Sequence, residues 1–213
     1  MRVLRNSMAL ATMVITFLAV IPTFNPASAE QHTIKIGDKA PDFKLPNAHG
    51  KERTLYDLLE SGPVILTFYR GGWCPYCNDQ LYDFQQNLEK FKAHGAQLVA
   101  VSPEQPKSMV DTVLKNSLTF EVLSDLGNRV ARNYDLIWVV PKNKRAGFER
   151  WLKGTTGMTL AELNGVDSNE LPIPATFVIA QNGEVTYMFK DENYKKRAKQ
   201  KDILSALNDL NAE

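Results

Sequence analysis

Two cysteines separated by two residues, Cys74 and Cys77, are the side chains of this sequence best suited to carry out chemistry. They are the only cysteines among 213 residues, and they lie between an apolar run over residues 64–69 and a segment with helical periodicity. The thiolate form of cysteine is the nucleophile, and the first turn of a helix stabilises it through unpaired N–H groups and the helix dipole. This Cys-x-x-Cys pair at a strand-to-helix turn therefore predicts a centre that cycles between dithiol and disulfide.

Other roles for the pair fit less well. Residue 78 is Asn78, whereas attachment of a c-type haem requires histidine at this position. A structural zinc site needs four ligands, and the three histidines of the chain lie far from the pair in sequence. A structural disulfide would close too short a loop to restrict the unfolded chain much. We therefore expect no metal and no cofactor. A non-catalytic binding domain with a permanent, structural disulfide is a third alternative beside the two enzymatic hypotheses given below.

Arg70 and Trp73 precede the pair and are candidate site residues. Arg70 is a possible cationic partner for a thiolate, although an exposed surface arginine is the simpler interpretation. Trp73 either shields the sulfur atoms from water or has only a packing role against neighbouring side chains. Two glycines at positions 71 and 72 allow the sharp turn that leads into the helix.

The N-terminal residues predict an export signal. Arg2 and Arg5 precede an uncharged apolar stretch over residues 8–21, and the small residues Ala27-Ser28-Ala29 follow. This stretch is shorter than the about 20 residues that span a bilayer, although an uncleaved anchor is the rival interpretation. We expect a signal peptide over residues 1–29 and a single redox domain over residues 30–213 with no membrane span. The mature protein would be periplasmic or secreted.

The charge of the mature chain gives no sign of a nucleic-acid partner. Removing the two leader arginines from 25 Lys plus Arg leaves 23, against 24 Asp plus Glu. A balance this close to neutral does not indicate binding to nucleic acid or to an anionic membrane surface. Short basic clusters at residues 142–145 and 195–197 are interpreted as solvated faces.

Alternating strand and helix patterns predict an α/β fold with a central mixed sheet flanked by helices. An N-terminal hairpin is predicted over residues 42–54 and a late hairpin over residues 175–190. Residues 141–172 are interpreted either as a helical insertion at the rim of the active site or as a surface flap without a role. The remaining predicted strands cover residues 64–69, 97–102, 119–123 and 136–140, and the predicted helices cover residues 55–60, 75–91, 106–116, 127–134 and 199–210.

Three segments resemble the peroxiredoxin-like (AhpC/TSA) branch of the thioredoxin superfamily. Residues 37–43 resemble the opening segment of that family, residues 123–134 its middle segment and residues 175–183 its late hairpin. The resemblance covers residues 36–210. It implies a thioredoxin-like fold and a thiol-based antioxidant activity.

Two departures from the family pattern bear on function. Peroxiredoxins carry Pro-x-x-x-Thr-x-x-Cys, and in this alignment Arg70 replaces the proline, Cys74 the threonine, and Cys77 falls on the peroxide-attacking cysteine. The family also has an arginine just before the Ala-Thr-Phe strand, where this chain has Pro174. By resemblance, that threonine and arginine orient the peroxide. Their loss favours disulfide exchange over peroxide reduction.

Pro174 supports the same interpretation. Thioredoxins have a cis-proline at this place, facing the dithiol, and Ile173-Pro174 matches that pattern. The resemblance therefore implies that Ile173 and Pro174 position the substrate. Trp73 and Arg70, which lie beside the cysteines in the sequence, are expected to take part in positioning it as well.

The sequence thus leaves two enzymatic hypotheses. In the leading one, the protein is an exported thiol redox enzyme in which Cys74 attacks a disulfide or sulfenic acid and Cys77 resolves the product. Its partner would be a thiol reductant or a disulfide-bearing protein. The alternative is a thiol-dependent hydroperoxide reductase, in which Cys77 attacks the peroxide and Cys74 resolves it.

Overall fold

The computed structural model describes residues 33–212. The predicted signal peptide and its cleavage after Ala29 lie outside the described residues, so export stays a prediction that N-terminal sequencing of the mature protein can test. Within the described residues, no helix is both long and apolar enough to cross a membrane.

Strands and helices alternate along most of the described chain. The strands are β1 (Lys44–Pro46), β2 (Glu52–Thr54), β3 (Val64–Phe68), β4 (Gln97–Ser102), β5 (Glu121–Ser124), β6 (Ile137–Val139), β7 (Glu170–Pro172), β8 (Ala175–Ile179) and β9 (Val185–Lys190). The helices are α1 (Leu55–Leu59), α2 (Pro75–Gln86), α3 (Leu88–Ala93), α4 (Pro106–Lys115), α5 (Arg129–Asn133), α6 (Lys142–Thr156), α7 (Leu160–Asn164) and α8 (Gln200–Leu210).

A five-stranded mixed sheet in the order β5-β4-β3-β8-β9 forms the centre of the fold. β3 pairs in parallel with β4 and antiparallel with β8, and all five of its residues are buried. A strand buried on both faces requires the continuous run of apolar and β-branched residues that this segment has. The predicted α/β class with a central mixed sheet is therefore confirmed, as is the N-terminal hairpin, in which β1 pairs antiparallel with β2.

Two predicted helices are interrupted. The helix expected over residues 75–91 breaks at Asn87, where the Nδ2 atom of that residue donates to the carbonyl of Asp83. Asparagine side chains compete in this way with the backbone hydrogen bonds of a helix. The helix expected from residue 127 begins only at Arg129, because Gly127 and Asn128 have the left-handed φ values 76° and 58°.

Residues 141–172 form the predicted helical insertion, with one strand that the sequence pattern did not indicate. α6 is anchored by the fully buried Leu152, and α7 begins with a capping box formed by Thr159 and Glu162. The additional strand, β7, pairs antiparallel with β6. This pairing holds the end of the insertion against the segment that precedes the insertion. β7 is followed almost directly by β8, the first strand of the late hairpin.

Candidate active site

The end of β3 and the start of α2 hold the two cysteines. After Phe68 the chain turns at Gly71, whose φ of +143° is one that residues with a side chain rarely adopt. Cys74 is the N-cap residue of α2, and Cys77 lies in its first turn. Both are free thiols, and their side chains are almost completely buried, with 1% and 0% of their surface exposed. The predicted strand–turn–helix setting of the pair is therefore present.

A buried carboxylate, Glu104, fixes this turn. Its Oε1 atom accepts a hydrogen bond from the backbone N–H of Gly72 at 2.9 Å, and its Oε2 atom accepts from the Tyr69 hydroxyl at 3.1 Å. The hydroxyls of Ser102 and Thr112 also donate to it. Burial raises the pKa of Glu104. The sequence analysis did not identify this residue, although a carboxylate just after a buried strand was the available signal.

The two cysteines differ in acidity. The hydrogen bond from the Cys77 thiol is the largest influence on Cys74, and it outweighs burial to lower the Cys74 pKa to about 6. The Cys77 N–H and the charges of Arg70 and Arg197 act in the same direction. Burial, followed by the hydrogen bond to Cys74, raises the Cys77 pKa well above its ordinary value. In the singly ionised pair, the negative charge therefore lies on Cys74 and Cys77 keeps its proton.

Arg70 is not the exposed surface arginine that the sequence suggested. Only 7% of its surface is exposed, and its guanidinium lies 4.5 Å from the ring centre of Tyr194, 5.1 Å from Trp73 and 5.4 Å from Trp138. Aromatic faces attract a guanidinium, which is why the charge is tolerated in a nearly buried position. The structure therefore supports the other interpretation of Arg70, as a cationic partner of the thiolate.

A second arginine near the pair, Arg197, comes from the chain just before α8. Its Nη2 atom donates to the Sγ atom of Cys77 at 3.6 Å. The sequence analysis had placed the whole basic cluster at residues 195–197 on a solvated face. That is correct for Lys195 and Lys196, which are exposed, and wrong for Arg197, which turns inward. No local sequence signal distinguishes the three residues.

An apolar cavity of about 690 Å³ opens next to Cys74. Cys74 contributes to its wall, whereas Cys77 does not. Trp73 packs edge-on against Phe148 and Trp151 of α6, with ring centres 5.5 Å and 6.0 Å apart. Trp73, Phe148 and Trp151 all line the cavity, so the insertion forms part of its wall, in agreement with the interpretation as a helical insertion at the rim. The other aromatic residues that line the cavity are Tyr76, Trp138 and Tyr194.

Ile173 and Pro174 line a smaller cavity of about 90 Å³, together with Arg70, Trp138 and Tyr194. The expectation of a cis-proline is wrong, because no peptide bond within residues 33–212 is cis. The backbone N–H of Ile173 donates to the carbonyl of Leu136, and proline has no N–H. Neither residue therefore offers a free N–H group to a bound peptide. Their role in positioning a substrate stays a prediction.

No cluster of three or more His, Cys, Asp or Glu side chains that could hold a metal ion occurs in the part of the chain that the structure describes.

We expect the reduced protein to release its first thiol proton near pH 6. The lowered pKa of Cys74 contributes stability that is present above the unfolded value of about 8.5 and is lost as the pH falls through about 6. The raised pKa of Cys77 contributes stability that is present below the unfolded value of about 8.5 and is lost at more alkaline pH. Ultraviolet absorbance of the thiolate and alkylation rates against pH measure the first midpoint. A midpoint near the ordinary thiol value of about 8.5 would contradict this prediction.

Comparison with known proteins decides the family. The model of the AhpC/TSA family matches residues 36–188. The chain belongs to the AhpC/TSA family. It is 32% identical over 111 residues to Peroxiredoxin Bcp of Bacillus subtilis, which covers 52% of this chain and 69% of that protein. It is 30% identical over 156 residues to the chloroplastic Peroxiredoxin Q of rice, Oryza sativa subsp. japonica, covering 73% of this chain and 59% of the relative.

Solved structures share the AhpC/TSA fold of this chain. The crystal structure of peroxidoxin BcpB from Mycobacterium tuberculosis aligns with a TM-score of 0.65 at 23% identity, covering 83% of this chain and 98% of that one. The thioredoxin-like fold predicted from the sequence is thus confirmed. This chain spans about three fifths to two thirds of the length of the first curated relatives that it matches.

Proposed function

We propose that this member of the AhpC/TSA family is an enzyme that reduces hydroperoxides by cycling Cys74 and Cys77 between dithiol and disulfide. The observation that carries the proposal is a cysteine with a pKa lowered to about 6, next to an apolar cavity and in hydrogen-bond contact with a second cysteine. The family relatives, which are named peroxiredoxins, support a hydroperoxide as the oxidant. They favour the hydroperoxide alternative of the sequence analysis over its leading hypothesis of disulfide exchange.

In the order that the electrostatics favour, the Cys74 thiolate attacks the terminal oxygen of the peroxide. The O–O bond breaks, an alcohol leaves after taking up a proton, and Cys74 becomes a sulfenic acid. The Cys77 sulfur then attacks the Cys74 sulfur, an S–S bond forms, the S–O bond breaks and water leaves. A thiol reductant, through two exchange steps, returns both cysteines to the thiol form.

The family alignment favours the opposite order, with Cys77 as the attacking cysteine. The contact between Arg197 and the Cys77 sulfur supports this order, because a cation stabilises the thiolate that would attack. Burial of Cys77 opposes it, since Cys77 is fully buried and does not line the apolar cavity. We therefore assign the first attack to Cys74, and replacement of each cysteine separates the two orders, as described below.

The proposal is tested with the reduced wild-type protein and limiting peroxide. We expect each equivalent of an organic hydroperoxide to remove two thiols and to yield one intramolecular disulfide. A parallel reaction with a small model disulfide measures exchange, and protein alkylated at both thiols is the control. Thiol loss with the disulfide but none with hydroperoxide would reject peroxide reduction.

Thiol–disulfide exchange is the second candidate function. It is supported by the same acidic Cys74 and by the absence, at the family positions, of the peroxide-orienting threonine and arginine. The backbone N–H of Ile173 already donates to the carbonyl of Leu136, so it cannot bind the backbone of a peptide substrate. This counts against a protein disulfide as the substrate. The parallel reaction above decides between the two candidates, since it compares the rates with the two oxidants on one protein.

A further inference from the structure

We propose that Arg197 is a positioning residue that stabilises negative charge on the sulfur of Cys77 whenever the Cys74–Cys77 bond closes or opens. The inference deepens the proposed function, because the closing and opening of that bond belong to the proposed cycle. Its first observation is the 3.6 Å contact from the Nη2 atom of Arg197 to the Cys77 Sγ atom. The two residues are 120 positions apart in the sequence, so only the fold brings them together.

The guanidinium of Arg197 is held in one orientation. Its Nη1 atom donates to the backbone carbonyls of Tyr194 and Lys196, which directs Nη2 towards the sulfur. Its Nε atom is buried without a hydrogen-bond partner. Within residues 33–212, no carboxylate forms an ion pair with this side chain. The guanidinium is therefore held against the Cys77 sulfur and can stabilise negative charge there when Cys77 loses its proton.

The groups that face Cys77 come from three parts of the fold. Cys74 lies beside it at the start of α2, Tyr69 and Arg70 lie at the end of β3, and Arg197 lies before α8. Burial and Cys74 raise the Cys77 pKa, whereas the charge of Arg197 and the backbone N–H of Arg70 lower it. Tyr69 keeps its proton, because burial raises its own pKa well above the ordinary value. Among these groups, Arg197 supplies the cation in direct contact with the sulfur.

Negative charge develops on Cys77 in both halves of the cycle. During closure, the Cys77 thiol loses its proton, its sulfur attacks the sulfenic acid of Cys74, and the departing hydroxide takes up the proton as water. During opening, a reductant thiolate attacks the Cys74 sulfur, and the electron pair of the S–S bond passes to Cys77, which leaves as a thiolate. If Cys77 makes the first attack instead, its sulfur carries the negative charge when it attacks the peroxide. Arg197 therefore stabilises a Cys77 thiolate in either order of attack.

The first test titrates Cys77 alone, in protein carrying Cys74→Ser. We expect Arg197→Gln to raise the Cys77 pKa by about one to three units, the range for losing an opposite charge in contact. Arg197→Lys should give an intermediate value, because an ammonium group keeps the charge but lacks the planar fork. Lys199→Gln, which removes an exposed charge two residues away, should leave the pKa unchanged. An unshifted Cys77 pKa in Arg197→Gln overturns the proposal, and Arg197→Met, which also removes the charge, replaces that variant if it does not fold.

The second test follows disulfide closure after one equivalent of hydroperoxide in protein with both cysteines. For each unit of increase in pKa, closure should slow about threefold, since the tenfold loss of thiolate is partly offset by greater nucleophilicity. An unchanged closure rate with Arg197→Gln overturns the role in the cycle. Failure of the wild type to consume peroxide would reject the proposed function instead. The titration does not depend on any substrate, so the two failures are distinguishable.

Discussion

Replacing Cys74 with serine should slow hydroperoxide consumption by the reduced protein about a hundredfold at pH 7. A thiol with a pKa of about 6 is about nine-tenths ionised at that pH, whereas one with a pKa of 9 is about one-hundredth ionised. The remaining Cys77 has a pKa raised still further by burial, and it does not line the apolar cavity. Stopped-flow measurement of peroxide loss with limiting reduced protein gives the rate.

Cys77→Ser is the matched control. In this variant Cys74 should still consume one equivalent of hydroperoxide, and its sulfenic acid should persist long enough to be trapped by a sulfenate-specific reagent. Multiple turnover should be lost, because no second sulfur is available to form the intramolecular disulfide. The reverse pattern, with peroxide consumption retained in Cys74→Ser and lost in Cys77→Ser, would assign the first attack to Cys77. The alignment with the AhpC/TSA family would then describe the order of events correctly.

Glu104→Ala should lower the free energy of unfolding by about 3 kcal/mol or more. The carboxylate is 1% exposed and accepts hydrogen bonds from the Tyr69 hydroxyl, the Gly72 N–H and the hydroxyls of Ser102 and Thr112. Its removal leaves the Tyr69 hydroxyl and the Gly72 N–H without their acceptor and creates a cavity beneath the turn that carries the cysteines. Urea unfolding of the reduced protein measures the loss.

Two variants serve as controls for the loss at Glu104. Asp111→Ala removes an exposed carboxylate that lines the same surface pocket as Glu104, and should change the free energy of unfolding by no more than about 0.5 kcal/mol. Glu104→Gln keeps one oxygen that can accept from the Gly72 N–H, so its cost should be smaller than that of Glu104→Ala. Equal stabilities of the Glu104→Ala and Asp111→Ala proteins would show that the hydrogen bonds to Glu104 do not support the turn.

Elements with a strong local pattern were predictable from the sequence. The buried run that forms β3, the hairpin of β8 and β9 and the terminal helix α8 lie within a few residues of their predicted positions. These patterns can be recognised in the sequence because burial of one or both faces of an element determines the spacing of its apolar residues. Weaker elements were missed or misplaced. β7 has three residues and owes its conformation to pairing with β6, which a local pattern does not reveal.

The surroundings of the cysteines were predictable only in part. Placement of Cys74 and Cys77 at a strand-to-helix turn followed from their spacing and from Pro75, which suits the first turn of a helix. The positions of the charged residues around the cysteines could not be predicted from the sequence. Arg70 and Arg197 were both expected on the surface, because arginine is rarely buried. The residues next to each arginine in the sequence do not indicate which groups it contacts in the folded protein.

The sequence by itself therefore determined the thioredoxin-like fold, through its resemblance to a family, and the position of two cysteines at the start of a helix. Only the tertiary structure decided which of the two cysteines is the more acidic. Cys74 is the more acidic because Cys77 is more deeply buried and donates its hydrogen to Cys74, while Arg70 from the preceding turn and Arg197 from a distant segment both lie near the pair. Burial and charge proximity depend on how the segments pack, and neither is encoded in the spacing of two cysteines.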